Sequence, residues 1–139
     1  MKVAYTAHGS ATGGREGQGR TDDGKVDVKL TLPKEMGGSG TGTNPEQLFS
    51  VGYSACYLGA LKHVAGKEKI KITDDAKVSA NVGIGERDDK QGFGLVVALQ
   101  VSLPGVDKAK AEDLVKKAHV VCPYSHSIKG NVQVTTTVV

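Results

Sequence analysis

Residues 44–65 constrain this chain more than any other stretch. They open Asn44-Pro45-Glu46-Gln47. Asparagine is a good N-cap, proline suits the first helical position, and Gln47 falls at the capping-box position. The pattern predicts a helix to about Ala65, with Gly66 as its stop. Phe49, Tyr53, Tyr57 and Leu61 fall on one face at four-residue spacing, and Leu48, Gly52, Cys56 and Ala60 on the next. A helix apolar on nearly every side is a buried one. It has to be wrapped by the rest of the fold or by a partner chain.

The helix is too short to cross a bilayer. The longest stretch free of charge and proline runs over residues 47–61, against the roughly 18 to 20 apolar residues a span needs. The chain is 139 residues long, with 38% apolar and 24% charged side chains. That composition excludes a disordered chain, and the length fits a single domain over residues 1–139. No basic-then-apolar leader pattern stands in residues 1–10, so a cytoplasmic location is expected. A net charge of +3 with scattered Lys and Arg gives no footprint for nucleic acid.

Around the helix the pattern is mixed. Residues 26–32 alternate as a half-buried strand that Pro33 ends. Residues 37–42 are a glycine-rich connector. Residues 76–84 and 94–103 read as strands joined by a hairpin loop over residues 86–92. Asp107 caps a second helix, where Ala111, Leu114, Val115, Ala118 and Val121 or Cys122 recur at helical spacing. That helix ends at Cys122-Pro123. Val132, Val134, Thr136 and Val138 alternate as a last strand. The expected class is α+β: an antiparallel-rich sheet, a long buried central helix and a second helix.

The chemistry concentrates on two cysteines, Cys56 and Cys122. Without an export pattern a structural disulfide is not the default, and cytosolic disulfides tend to be transient and catalytic. An inert buried pair is the competing reading. To react, Cys56 needs a cation nearby, since burial among apolar groups raises a thiol pKa. The helix dipole fades beyond the first turn and does not reach it. Arg15 and Arg20 lie in a glycine-rich stretch, residues 13–20, that reads as a loop able to approach a helix closely. That loop lacks the lysine and hydroxyl of a phosphate-binding motif. His119, Cys122 and His126 form a conceivable zinc trio, with Cys56 as fourth ligand, but the paired close spacing of structural zinc sites is missing. Phe49, Tyr53, Tyr57 and Tyr124 place four of the six aromatics near the cysteines. They read as core or as an apolar pocket beside a thiol.

Asn44-Pro45-Glu46-Gln47-Leu48-Phe49-Ser50-Val51-Gly52-Tyr53-Ser54-Ala55-Cys56 resembles the first cysteine motif of the organic hydroperoxide resistance proteins, the Ohr branch of the Ohr/OsmC family. Val121-Cys122-Pro123-Tyr124-Ser125, followed by Gly130-Asn131-Val132, resembles the second. Tyr5-Thr6-Ala7 with Thr12-Gly13-Gly14-Arg15-Glu16-Gly17 resembles the N-terminal arginine loop. The motifs stand in order along the whole chain, and the departure is Ser125-His126-Ser127-Ile128-Lys129 at the edge of the second.

The resemblance implies an OsmC-like fold, an intertwined homodimer and a thiol peroxidase for organic and fatty-acid hydroperoxides. It implies Cys56 as peroxidatic thiolate and Cys122 as resolving cysteine, with Arg15 stabilising the thiolate and Glu46 holding Arg15. Phe49, Tyr53 and Tyr124 would line the substrate pocket. No metal or cofactor is implied, and the electrons would come from a dithiol such as dihydrolipoamide on a lipoylated protein. Neither nucleic acid nor membrane is an expected partner. Glu46 and Cys56 stand ten residues apart, about 15 Å along a helix and turned by roughly 80°. One arginine can hardly serve both on one helix, so the expectation is a site assembled from two chains.

Overall fold

A computed structural model describes all residues, 1–139. The predicted helix is α1, Pro45–Lys67. The Asn44 side chain accepts from the Gln47 N–H at 2.9 Å, as an N-cap should. The capping box is not closed, because the Gln47 side chain accepts from the Thr43 hydroxyl instead. The C-terminus lies two residues beyond the expected one. Gly66 stays helical, and Lys69 takes the left-handed conformation with φ 56°. The Ile70 N–H then donates to the Ala65 carbonyl and the Lys69 N–H to the Gly66 carbonyl, a Schellman closure built on a lysine.

The chain divides into two units, Met1–Leu48 and Phe49–Val139. The first holds three short antiparallel strands in the order β1-β2-β3: β1 Gly9–Thr12, β2 Gly17–Thr21 and β3 Asp27–Leu30. The glycine-rich stretch is therefore only partly a loop. Its second half is β2, paired from Gly17 opposite Leu30 to Arg20 opposite Asp27. Glycine hides a strand from the residue pattern because it offers no side chain to alternate. A 3-10 turn at Lys34–Met36 follows β3. The connector after it is tied back by the Thr31 N–H to the Thr43 carbonyl and the Gly42 N–H to the Thr31 hydroxyl.

The second unit holds the other sheet, in the order β4-β5-β6: β4 Lys77–Glu86, β5 Phe93–Ser102 and β6 Gln133–Val138. β4 and β5 form the expected hairpin, with Lys77 opposite Ser102 and Glu86 opposite Phe93. β6 runs parallel to β5, so the chain between them must cross over. The crossover is α2, Lys108–Val121, capped by Asp107, and a one-and-a-half-turn helix the spacing did not show, α3, Pro123–Ile128.

The core of this unit is one apolar cluster. It takes Tyr53, Tyr57, Leu61 and Val64 from α1, Val78 and Ala80 from β4, and Val97, Leu99 and Val101 from β5. Ala111, Leu114, Val115 and Ala118 join from α2, and Cys122 closes the series where Val121 was the alternative. Val121 points out. α1 is not covered on every side by its own chain. Leu48 is 40% and Val51 71% exposed, and Ala55 and Gly59 continue the open stripe. No helix is long and apolar enough to cross a membrane.

Two substitutions test this description. Leu61→Ala, at a fully buried site, should cost about 2–5 kcal/mol in urea unfolding. Lys69→Gly removes a strained backbone position and should raise stability by about 0.5–1 kcal/mol, whereas Gly66→Ala should not destabilise.

Candidate active site

Arg15 stands at the tip of the β1–β2 hairpin. The turn is tight, with the Glu16 N–H donating to the Gly13 carbonyl at 3.0 Å. Gly13 has φ +70°, and a Cβ there would lie 2.2 Å from the Glu16 carbonyl oxygen. Only glycine fits, and the turn delivers the next two side chains in opposite roles. Glu16 accepts from the Leu32 N–H at 3.1 Å and ties the tip to the end of β3. Arg15 makes a two-pronged contact with Glu46 in the first turn of α1, Nη1 to Oε2 at 2.8 Å and Nη2 to Oε1 at 2.6 Å.

Both members are partly covered, Arg15 at 34% and Glu46 at 13% side-chain exposure. The planar fork fixes the guanidinium in a way a lysine could not. The hydrogen bonds from Arg15 hold the Glu46 carboxyl below its ordinary range and, in return, raise the guanidinium further. Of the two candidate arginines, Arg15 is the one paired with Glu46. Arg20 lies exposed, next to the last residue of β2.

The two sulfurs form a second grouping, within the second unit. Cys56 on α1 and Cys122 between α2 and α3 are both free cysteines, and their Sγ atoms are 3.6 Å apart. Cys122 is at once the C-cap of α2 and the N-cap of α3, in extended conformation with φ −67° and ψ 119°. Pro123 cannot continue α2 and suits the start of α3, so the Cys-Pro pair makes the elbow. Cys122 is fully buried and Cys56 half-buried. Burial pushes the Cys56 thiol up, and the neighbouring Cys122 adds to that. The Tyr124 backbone N–H beside its sulfur works the other way.

Tyr53 and Tyr57 lie near this pair, and Phe49 and Tyr124 pack with Tyr53 in one aromatic group. Phe49 and Tyr124 stack at 5.7 Å, and Tyr53 lies 5.7 Å from Phe49 and 5.9 Å from Tyr124. Gly52 lets the Tyr124 ring lie against α1, since a Cβ there would stand 3.1 Å from its hydroxyl. Tyr53 and Tyr57 are fully buried, and burial raises both phenols. Each hydroxyl has a partner, Ser125 for Tyr53 and the Val115 carbonyl for Tyr57, both at 2.8 Å.

His119, the first member of the conceivable zinc trio, is committed elsewhere. Its Nδ1 meets the Ser125 hydroxyl at 3.0 Å and its Nε2 the Thr136 hydroxyl at 2.8 Å. No three His, Cys, Asp or Glu side chains are grouped to hold a metal ion. Ser125 and Thr136 were not singled out as site residues by the sequence. Ser125 stood within a motif, but no spacing rule announces a serine shared between a tyrosine and a histidine.

A family model described as OsmC-like protein matches residues 38–137. The organic hydroperoxide resistance protein of Xanthomonas axonopodis pv. citri is 52% identical over 137 residues, covering 98% of this chain and 95% of its own. This chain belongs to the Ohr branch of the OsmC-like family. Ohr structures superpose closely. A crystal structure of an organic hydroperoxide resistance protein from Legionella pneumophila matches with a TM-score of 0.93 at 44% identity, over 99% of this chain and 98% of that one. That of OhrB from Bacillus subtilis matches with a TM-score of 0.90 at 40% identity, over 99% and 100%. The residues that carried the Ohr resemblance are those gathered here: Arg15 with Glu46, and Cys56 with Cys122 among the aromatics.

The Arg15–Glu46 pair has a measurable signature. Titrated by NMR, the Glu46 carboxyl should show a midpoint below its ordinary 4.5 and move up in Arg15→Ala. A depressed carboxyl stabilises the fold above its unfolded pKa, and that contribution is lost as pH falls through the folded value. The stability gap between wild type and Arg15→Ala should therefore be full at pH 7 and shrink on acidification.

Proposed function

We propose that this chain is a cysteine-based thiol peroxidase that reduces organic hydroperoxides, fatty-acid hydroperoxides among them, to alcohols. The observation that carries the reading is the separation of the Cys56 and Cys122 sulfurs, 3.6 Å, with tyrosine side chains close by. It is supported by relatives at 52% and 42% identity that bear the name organic hydroperoxide resistance protein.

The Cys56 thiolate attacks the outer oxygen of the hydroperoxide. The O–O bond breaks, the alkoxide leaves as alcohol on taking up a proton, and Cys56 becomes a sulfenic acid. The Cys122 thiol then attacks the Cys56 sulfur. A disulfide forms and the sulfenic oxygen departs as water. An external dithiol, dihydrolipoamide on a lipoylated protein in this reading, gives two electrons and two protons and restores both thiols. The apolar aromatic surround favours a greasy peroxide over hydrogen peroxide.

A raised Cys56 thiol needs a cation to ionise. Arg15 is already aligned by Glu46 and cannot lose its charge. Glu46 and Cys56 ride the same helix, ten positions apart. In this reading the Arg15–Glu46 pair therefore comes from the partner subunit. The open stripe of Leu48, Val51, Ala55 and Gly59 on α1 is the apolar surface a second copy would cover.

Cys56→Ser should consume no cumene hydroperoxide. Cys122→Ser should consume one equivalent and then stall or overoxidise. Arg15→Ala should raise the pH at which Cys56 alkylates and slow turnover, and Arg20→Ala should do neither; the reverse outcome would reassign the cation. Mixed dimers of Cys56→Ser and Arg15→Ala chains should regain one working site per dimer. No recovery on mixing, or an active monomer in sedimentation, would sink the two-chain site.

A further inference from the structure

The short helix α3, Pro123–Ile128, carries the Cys122 elbow at its start, yet six residues do not hold a helix in place by themselves. Cys122 contributes no side-chain cap to it. What fixes α3 is the Ser125 hydroxyl, which is buried and touches two different elements. It meets the Tyr53 hydroxyl of α1 at 2.8 Å and Nδ1 of His119 in α2 at 3.0 Å. His119 is itself held by Thr136 of β6 through Nε2 at 2.8 Å, and its ring packs 4.7 Å from that of Tyr57. Four elements thus meet in one line of hydrogen bonds: β6, α2, α3 and α1. The line ends on Tyr53, one turn before Cys56 on α1, and runs through Ser125, three residues after Cys122.

We propose that His119 is a positioning residue for disulfide closure: by locking Ser125 it holds the Cys122 elbow at bonding range of Cys56. This rests on the peroxidase reading for its biological use, although the closure equilibrium does not depend on it. The imidazole touches neither sulfur and is not assigned a chemical step. Its neutral form, favoured by burial, has one donor and one acceptor, and two hydroxyls that can each give or take a proton satisfy it completely. The ring is within reach of solvent, because His119, Ser125 and Tyr53 also line a cavity of about 340 Å³ with His126, Lys129 and Val134.

The geometry separates two conservative replacements. An asparagine amide reaches where Nδ1 stands and can keep the Ser125 contact. A glutamine amide reaches where Nε2 stands and keeps only the Thr136 contact. Loss of one well-placed hydrogen bond corresponds to roughly a tenfold change in an equilibrium or rate.

The experiment equilibrates the full chain, without peroxide, in graded reduced and oxidised dithiothreitol and measures the Cys56–Cys122 disulfide by mass spectrometry after alkylation. In His119→Gln and in Ser125→Ala, closure should be about tenfold less favourable, a rise of about 30 mV for this two-electron couple. His119→Asn should return to within about threefold of wild type. With cumene hydroperoxide in excess, so that a second equivalent competes with closure by Cys122, His119→Gln should also send a larger share of Cys56 to sulfinic acid per turnover than His119→Asn. Equal closure in His119→Gln, His119→Asn and wild type would overturn the proposal, as would equal loss in both His119 variants. Should a variant fail to fold, Ser125→Ala alone decides, and wild-type closure there refutes the lock. If wild type closes its disulfide but consumes no hydroperoxide, the peroxidase reading fails and the positioning role is still judged by the dithiothreitol series.

Discussion

A parallel neighbour strand cannot be reached by a tight turn. β6 lies parallel to β5, so the chain leaving β5 must travel back over the sheet before it pairs again. Much of the second unit follows from that obligation. The return path is α2 and α3, with a break in the helical conformation between them. Cys122-Pro123 occupies that break. The buried sulfur is thus placed by topology first and by local contacts second. A hairpin in place of the crossover would leave no helix end to carry it.

Polar contacts inside the apolar cluster give the arrangement its uniqueness. Leucines and valines fill volume but tolerate small slips, whereas a buried hydroxyl without a partner is costly. Tyr53 and Tyr57 each bring a phenol into the core and each finds one acceptor or donor, and no buried side-chain nitrogen or oxygen is left without a partner. Those contacts tie α1 to α2 and α3 in a single register. The Arg15–Glu46 fork plays the corresponding part in the first unit, where a glycine turn too tight for any other residue presents the guanidinium to the start of α1.

The legible parts of the sequence were those with strong local chemistry. The Asn44-Pro45 start of α1, the β4–β5 hairpin and the Asp107 cap are local signals, and each is found where the pattern places it. The two cysteines, 66 positions apart, stand with their sulfurs 3.6 Å apart, a pairing that came from the family resemblance and not from any local spacing. What was not legible has physical reasons. β2 is written in glycine and shows no alternation. Gly66 looked like a stop, but the closing geometry fell on Lys69, since tertiary context decides which residue turns left-handed. α3 is too short for a period. α1 looked buried all round because its composition is apolar all round, while in one chain the Leu48–Val51 side stays open. The lock of His119, Ser125 and Thr136 is a three-dimensional coincidence of residues 6 and 17 positions apart, and no local rule points to it.

The absence of tryptophan has an optical consequence. With four tyrosines and no tryptophan, intrinsic ultraviolet emission comes from phenols alone. Tyr5 is exposed near the N-terminus, while Tyr53, Tyr57 and Tyr124 belong to the unit that holds the two sulfurs. Tyr53 and Tyr124 face each other beside Cys56, and Tyr57 stands one residue after it on α1. Three of the four natural fluorophores are therefore gathered around the dithiol. A change at the dithiol that moves these rings would be read in the protein's own emission, with no label attached.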